Sequence, residues 1–260
     1  PCQTQSKRIP PTPRYEHETQ AADSSMTELM YSVRDRRFYT AIVYDKCSWI
    51  GETVELNLGG NLSAGVRDKE DGGWYNTTTG YYWRKGNIEN PTPRAYHNCQ
   101  VALHFNIVRL GEAYMNLAEA YLLKHDVPNA VKALNMTRTI HGGLSESTAA
   151  TEEEAWADYI RERNCELTNE GGDIYYSYLR WGKYGGYANH GRDAGDIIYD
   201  LDRPVYKMSI SRDRSKLLVG QMTLNISAQR KFTEKRYLLP INQSFLNTRE
   251  AYGLDHVQNK

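Results

Sequence analysis

The sequence predicts a mainly α-helical fold with irregular loops and short strands, and three stretches carry that expectation. Ile107, Leu110, Tyr114, Leu117, Ala118 and Tyr121 recur at helical spacing and mark an amphipathic helix. Thr151 and Glu154 stand at the spacing of a capping box, in which each side chain satisfies a backbone N–H that the first helical turn leaves open. From Gly59 to Pro93, Gly, Asn, Thr, Asp and aromatic residues replace any periodic pattern, as in a long loop.

Taken in order, residues 1–24 are polar, carry Pro10, Pro11 and Pro13, and read as an extended arm or linker. A region spanning residues 25–260 follows. It opens with a short helical stretch around Met26 to Val33. In Phe38 to Tyr44, the residues Phe38, Thr40, Ile42 and Tyr44 alternate with Tyr39, Ala41 and Val43, which predicts a strand covered on both faces. The loop 59–93 comes next. Its aromatic content argues against disorder and for function, since long loops inside compact proteins are seldom passive.

The helical part begins near residue 106. The 107–121 pattern runs to about Lys124. Asp126 caps a second helix with Pro128 in its first turn, Val131, Leu134 and Met136 supply apolar positions, and Gly142-Gly143 stops it. Two antiparallel helices with a short connection, residues 106–143, form a tetratricopeptide-like hairpin. Such a hairpin cannot cover its own apolar face and must pack on something else. Residues 151–181 hold the capped helix, through Trp156, Tyr159, Ile160 and Leu167 to Gly171-Gly172, and a Tyr-rich helix from Ile174 to Trp181. Arg161, Glu162, Arg163 and Glu166, judged locally, form a solvated face with intrahelical pairs. Residues 182–260 are loop-rich, with strand-like pieces such as Val205 to Ser209 and an extended segment, Tyr237-Leu238-Leu239, stopped by Pro240.

Composition removes several function classes. The 32 basic and 32 acidic side chains cancel, so no overall field draws the chain to nucleic acid or anionic lipid. Cys2, Cys47, Cys99 and Cys165 are widely spaced with no CxxC pair, which speaks against a metal cluster or redox motif and leaves their pairing open. No apolar run reaches the roughly 20 residues of a membrane span, and Cys2 is read as an ordinary residue. HExxH, GxSxG and phosphate-binding glycine motifs are missing and the seven histidines show no ligand spacing, so no catalytic residue, metal or cofactor is expected.

What stands out is aromatic chemistry: 20 tyrosines and 5 tryptophans against 4 phenylalanines favour rings with a polar edge. Trp74, Tyr75, Tyr81, Tyr82 and Trp83 cluster in the loop 59–93, beside Asn76, Thr77, Thr78 and Thr79 and flanked by Arg67 and Asp71. Flat rings suit the C–H face of a sugar, and amide, hydroxyl and charged groups suit its hydroxyls. Arg67, Asp71, Trp74, Tyr75, Asn76, Tyr81, Tyr82 and Trp83 are therefore the candidate ligand residues. The alternative, that Trp74, Tyr82 and Trp83 plug the loop onto the body, stays open. A second polar loop with Tyr184, Tyr187, His190, Arg192 and Asp193 reads as a surface connection.

Four blocks in order resemble the C-terminal half of SusD/RagB nutrient-binding outer-membrane lipoproteins. They are Arg109-x-x-Glu112-x-Tyr114-Met115-Asn116-x-Ala118-Glu119-Ala120; Leu134-Asn135-x-x-Arg138 leading to Gly142; Ile160-x-Glu162-Arg163-x-x-Glu166-Leu167-x-x-Glu170-Gly171 continuing to Arg180-Trp181; and Tyr237-Leu238-Leu239-Pro240-Ile241-Asn242-Gln243-Ser244 with the tail Gln258-Asn259. The sequence departs from the family pattern at Ile140, Asp173, Tyr176 and Asn242. The resemblance implies a tetratricopeptide-like hairpin with a loop-rich SusD-like C-terminal region. Arg109, Glu112, Glu162 and Arg163 then become buried or half-buried pairs that lock helices together.

The resemblance also implies that the hairpin stacks on N-terminal repeats absent from this chain, which another chain or a longer sequence would supply. In function it implies non-catalytic capture of an oligosaccharide, or less readily a peptide, at the extracellular face of the outer membrane. The chain would act as a lid over a SusC-like TonB-dependent transporter, held by a lipid anchor outside this sequence. A helical-repeat scaffold binding proteins is the competing class, and a glycan-degrading enzyme the third.

Overall fold

The computed structural model describes residues 31–32, 34–61, 77, 79–87, 106–184, 206–215, 217–221 and 241–254. Arg67, Asp71, Trp74, Tyr75 and Asn76 lie outside the described residues, as do the arm 1–24, most of the second polar loop, Pro240 and the Gln258-Asn259 tail. Contacts divide the chain into two units, Pro1–Ile174 with Pro204–Thr223, and Tyr175–Arg203 with Leu224–Lys260.

The first unit corrects one expectation at once, because most of the alternating run 38–44 is helical. Helix α1 covers Arg36–Ala41, and the Asp35 carboxylate caps it by accepting from the Arg37 amide at 2.8 Å. Arg37, Phe38 and Ala41 are the buried positions, a helical spacing, and the helical turn brings the Arg37 guanidinium onto carboxylates far along the chain. Those distant partners override an alternation that favours extended backbone. Strand β1 holds only Ile42–Val43. It is covered on both faces, with Val43 packed against Cys47, Val54 and Leu56 and Ile42 against Tyr31, Phe38 and Met208.

Strands β2 (Ser48–Trp49) and β3 (Glu52–Thr53) form a hairpin whose two turn residues, Ile50 and Gly51, have φ of 50° and 79°. Positive φ at both central positions belongs to a type I′ turn, which matches the strand twist but suits Asn-Gly far better than a β-branched residue. Strand β4 (Tyr82–Trp83) pairs antiparallel with β1, in the register Ile42 opposite Trp83 and Val43 opposite Tyr82. Strands β5 (Tyr206–Ile210) and β6 (Leu217–Gln221) make an antiparallel hairpin, with Ile210 opposite Leu217. β5 is tied to both upstream loops: Leu58 N donates to Ile210 O at 2.9 Å and Met208 N to Thr79 O at 3.1 Å. At the hairpin turn Arg214 donates to Asn57 at 2.7 Å and to Asp45.

The helical layer follows the sequence signals closely. Helix α2 spans Leu110–Leu123, and α3 spans Val127–Ile140 behind an Asp126 cap that accepts from the Asn129 amide. After α3 the chain unwinds through Gly142 and Gly143, where the carbonyls of Thr137, Arg138 and Thr139 accept from Gly142, Leu144 and Gly143. Helix α4, Glu152–Glu166, opens with both halves of the Thr151/Glu154 capping box, and α5 spans Asp173–Tyr184. Met115, Ala118, Leu122, Ala130, Leu134, Ala155, Trp156 and Tyr159 are fully or almost fully buried, so the core of this layer lies among α2, α3 and α4.

Two expectations fail in the layer. Of the apolar face drawn through Ile107, Leu110, Tyr114, Leu117, Ala118 and Tyr121, only Ala118 is buried, Tyr114 and Tyr121 are half-buried, and Ile107, Leu110 and Leu117 are exposed. α2 buries Gly111, Met115, Ala118, Glu119 and Leu122, while Leu110 is 69% exposed. α2 is apolar around more than one face, and α3 and α4 cover only the face that carries Met115 and Glu119. Ile140, at 60%, and Met136 are exposed on α3, so the hairpin has a covered side and an open one. The solvated face assigned to α4 is wrong for Glu162, Arg163 and Glu166, which are all buried. They hold partners on α1, α2 and α3, which no intrahelical rule anticipates.

In the second unit Trp181 is buried and stands edge-on to Tyr178 at 5.5 Å. Helix α6, Gln243–Ala251, lies in the segment read as loop-rich. Its cap is Asn242, one of the departures from the family pattern, whose side chain accepts from the Ser244 amide at 2.8 Å. An amide at that position satisfies a first-turn donor, which the family's proline cannot do with its ring.

Candidate ligand-binding site

Three of the eight candidate ligand residues are described, and β4 gives them different environments. Tyr82 points to the Val43, Cys47, Val54 and Leu56 cluster, and its hydroxyl accepts from the Thr77 amide at 3.1 Å. Tyr81 packs edge-on to Tyr31 and Phe38, and its hydroxyl donates to Met208 Sδ at 3.5 Å. Both rings are half-buried. Trp83 is 49% exposed, so at the end of the strand an indole is presented to solvent.

The backbone around Trp83 is firmly held. Arg84 N and Lys85 N donate to Ala41 O at 2.8 and 3.2 Å, and Asn87 Nδ2 donates to Trp83 O at 2.7 Å. Arg84 reaches back to Tyr39 O and Ser48 O at 3.1 and 3.2 Å while its guanidinium lies over the Trp49 ring, 5.5 Å from the centroid. Trp49, Arg84 and Asn87 were not among the residues the sequence singled out. They sit outside the aromatic cluster or belong to a hairpin that only the pairing of β1 with β4 brings near. Gly80 permits the approach of β5, because a Cβ there would collide with the Met208 carbonyl.

Below this strand lies a buried network of charges. Arg37 binds Asp35 and Glu162, each at 2.5 Å, and Glu166 at 2.7 Å. Thr137 Oγ1 donates to Glu162 at 2.7 Å. Glu166 also meets His141 Nδ1 at 2.7 Å and Arg109, and Arg109 continues to Glu170 at 2.8 Å. On α4 the Arg163 guanidinium binds Asp173, Asn116 and the Tyr159 hydroxyl, and that hydroxyl donates to Glu119 at 2.6 Å. Two glycines make room. A Cβ on Gly111 would strike the Glu166 carboxylate, and one on Gly142 would lie 2.7 Å from the Arg37 guanidinium.

The titration directions follow from these contacts. Burial works to raise the Glu166 carboxyl, but hydrogen bonds from Arg109, Arg37 and His141 outweigh it and hold the group at about 2. Glu170 is lowered in the same way: burial opposes the shift, and Arg109 and Lys85 prevail. Burial, reinforced by Glu119, pushes the Tyr159 phenol well above its usual range, so it remains a donor. Cys47 and Cys165 are buried free thiols, and burial raises Cys47. Among the described residues no group of His, Cys, Asp and Glu is arranged to hold a metal ion. Nor is any described helix long and apolar enough to cross a membrane.

The network therefore carries the pairs expected of Arg109, Glu162 and Arg163, and its chemistry is structural: the buried charges of α4 within it, Glu162, Arg163 and Glu166, each face an opposite charge. Among the candidate ligand residues that are described, Trp83 at the end of β4 is the one exposed to solvent.

No curated protein sequence matches the chain. Among solved structures, a SusD-like protein from Bacteroides fragilis is similar with a TM-score of 0.64 and 23% identity, over 93% of this chain and 43% of its own. A SusD-like carbohydrate-binding protein from the same species is similar with a TM-score of 0.55 and 16% identity, over 83% of this chain and 40% of its own. The chain thus spans about two-fifths of the length of these structures, which share its fold. The model of the SusD family matches residues 5–259, and the chain belongs to that family.

Proposed function

We propose that this chain takes part in non-catalytic capture of an oligosaccharide at the extracellular face of a Bacteroidota outer membrane. In this reading it serves a SusC-like TonB-dependent transporter as a lid, with a lipid anchor outside the present sequence holding it to the membrane. The observation that carries the reading is the indole of Trp83, presented to solvent on a strand whose backbone is pinned, within a chain of the SusD family. A rigid ring contributes apolar contact to a sugar face at little entropic cost.

Trp83 is the principal ligand contact among the described residues. Tyr81, Tyr82, Trp74, Tyr75, Asn76, Arg67 and Asp71 are the further residues proposed to contact the ligand. One solved relative is described as carbohydrate binding, which favours a glycan over a peptide. Affinity per site need only be modest, because contacts within a transporter complex raise retention.

A glycan array tests the reading. Trp83→Ala and Trp74→Ala are each expected to lower the signal of the best glycan at least tenfold, and undiminished binding by both would end it. Co-purification with a large β-barrel from detergent tests the transporter partnership. A second reading, a helical scaffold that binds protein, is favoured by the open side of the α2–α3 hairpin, where Leu110, Leu117 and Ile140 are exposed.

A further inference from the structure

We infer that Lys85 is a positioning residue for the aromatic surface, holding the outgoing end of β4 to the turn that follows α4 and so setting how Trp83 is presented. The inference rests on the capture reading only for its purpose; the contacts stand independently. Lys85 Nζ donates to Glu166 O at 3.3 Å and binds the Glu170 carboxylate. In the other direction Asn169 Nδ2 donates to Lys85 O at 3.2 Å. One residue, two positions beyond Trp83, is thus gripped through its side chain and its carbonyl by the last residue of α4 and by Asn169 and Glu170 of the turn after it.

The turn is itself fixed. Asn169 has φ of 57°, a left-handed conformation that Asn tolerates, and Glu170 is shared with Arg109 at the entry to α2. The ladder that pairs β4 with β1 covers two residues, Tyr82 and Trp83, and the Arg84 and Lys85 amides extend the hold to Ala41 O at the end of α1. The Lys85 side chain and carbonyl supply a second anchor, to the end of α4 and the turn after it, beside the one its amide makes to Ala41 O. With both in place the backbone from which the indole at position 83 projects is held from two sides.

Fluorine NMR of protein labelled with 5-fluorotryptophan tests this without any ligand. The five tryptophans give separate resonances, and Trp83→Phe assigns the one that matters. Lys85→Met is expected to move the Trp83 resonance by more than its line width while the buried Trp156 and Trp181 keep theirs, and Lys85→Arg is expected to restore it. Asn169→Gly removes the other contact while tolerating the backbone angle, and is expected to move the same resonance. An unmoved Trp83 resonance in both variants, or equal movement of Trp156 and Trp181, would overturn the assignment in favour of a merely structural ion pair. Should Lys85→Met not fold, the Asn169→Gly spectrum decides. If the glycan array shows no dependence on Trp83, the capture reading fails while this spectrum still decides the role of Lys85.

Discussion

The helical layer of α2, α3 and α4 and the strand region around β1 and β4 belong to one unit yet are held by different means. Two of its three helices carry their own start signal: Asp126 for α3, Thr151 with Glu154 for α4. The strands carry almost none. β1 and β4 are two residues each, and what fixes them is Trp83 opposite Ile42, Met208 N on Thr79 O, and Arg214 on Asn57, all between residues far apart in the chain. The helical layer therefore forms from local rules with packing added, whereas the region presenting Trp83 forms only when distant segments meet. A ligand surface on such a region takes its geometry from the scaffold beneath it.

The comparison can be broken most forcefully at Arg37, which belongs to the strand region by sequence and to the helical layer by contact. Arg37→Met leaves Asp35, Glu162 and Glu166 buried together without their shared cation. The expected loss is about 4 kcal/mol, read by urea unfolding. A loss below about 1 kcal/mol would mean that the two regions are coupled by apolar packing instead.

Acid gives the next effect. The folded Glu166 carboxyl sits at about 2, below its ordinary 4.5, so its contribution is complete above the unfolded value and disappears as pH falls from about 4.5 toward 2. The unfolded chain binds the proton first, and the expected decline is about 3 kcal/mol across that window. Glu166→Gln should flatten this part of the stability profile. An unchanged profile would show that the carboxylate is not the group that couples the regions.

The smallest effect is local. Ile50 holds a left-handed conformation in the β2–β3 turn, and Ile50→Asn should relieve that strain and raise stability by about 1 kcal/mol, since Asn-Gly is the preferred pair there. A fall in the thermal midpoint would show that packing by the Ile50 side chain outweighs the strain.

The sequence was most readable where neighbours decide. The two caps, the Gly142-Gly143 stop, the three-residue link between α2 and α3 and the strand beginning near Tyr206 follow from residues within a few positions of one another. It misled where a distant partner decides. Phe38 to Tyr44 alternates like a strand, but Arg37 and Phe38 find their partners through a helical turn. Glu162, Arg163 and Glu166 look like a wet helix face until Arg37, Arg109 and Asp173 are placed against them. Asn242 was read as a departure in a scaffold motif, although an Asn ahead of Gln243-Ser244 is also a cap signal, and α6 begins there. Of the candidate ligand residues, the sequence marked Trp83 but could not separate it from Tyr81 and Tyr82, because adjacent strand positions differ only in the face they meet.

By itself, then, the sequence determined helices α2 to α5, their order and the family, because capping, helical spacing and glycine stops are settled by backbone hydrogen bonds and sterics within a turn or two. The tertiary structure alone decided which side of α2 is buried, which charges leave water and which aromatic ring stays in it. Those outcomes depend on the desolvation of groups by partners scores of residues away, a quantity that no local pattern contains.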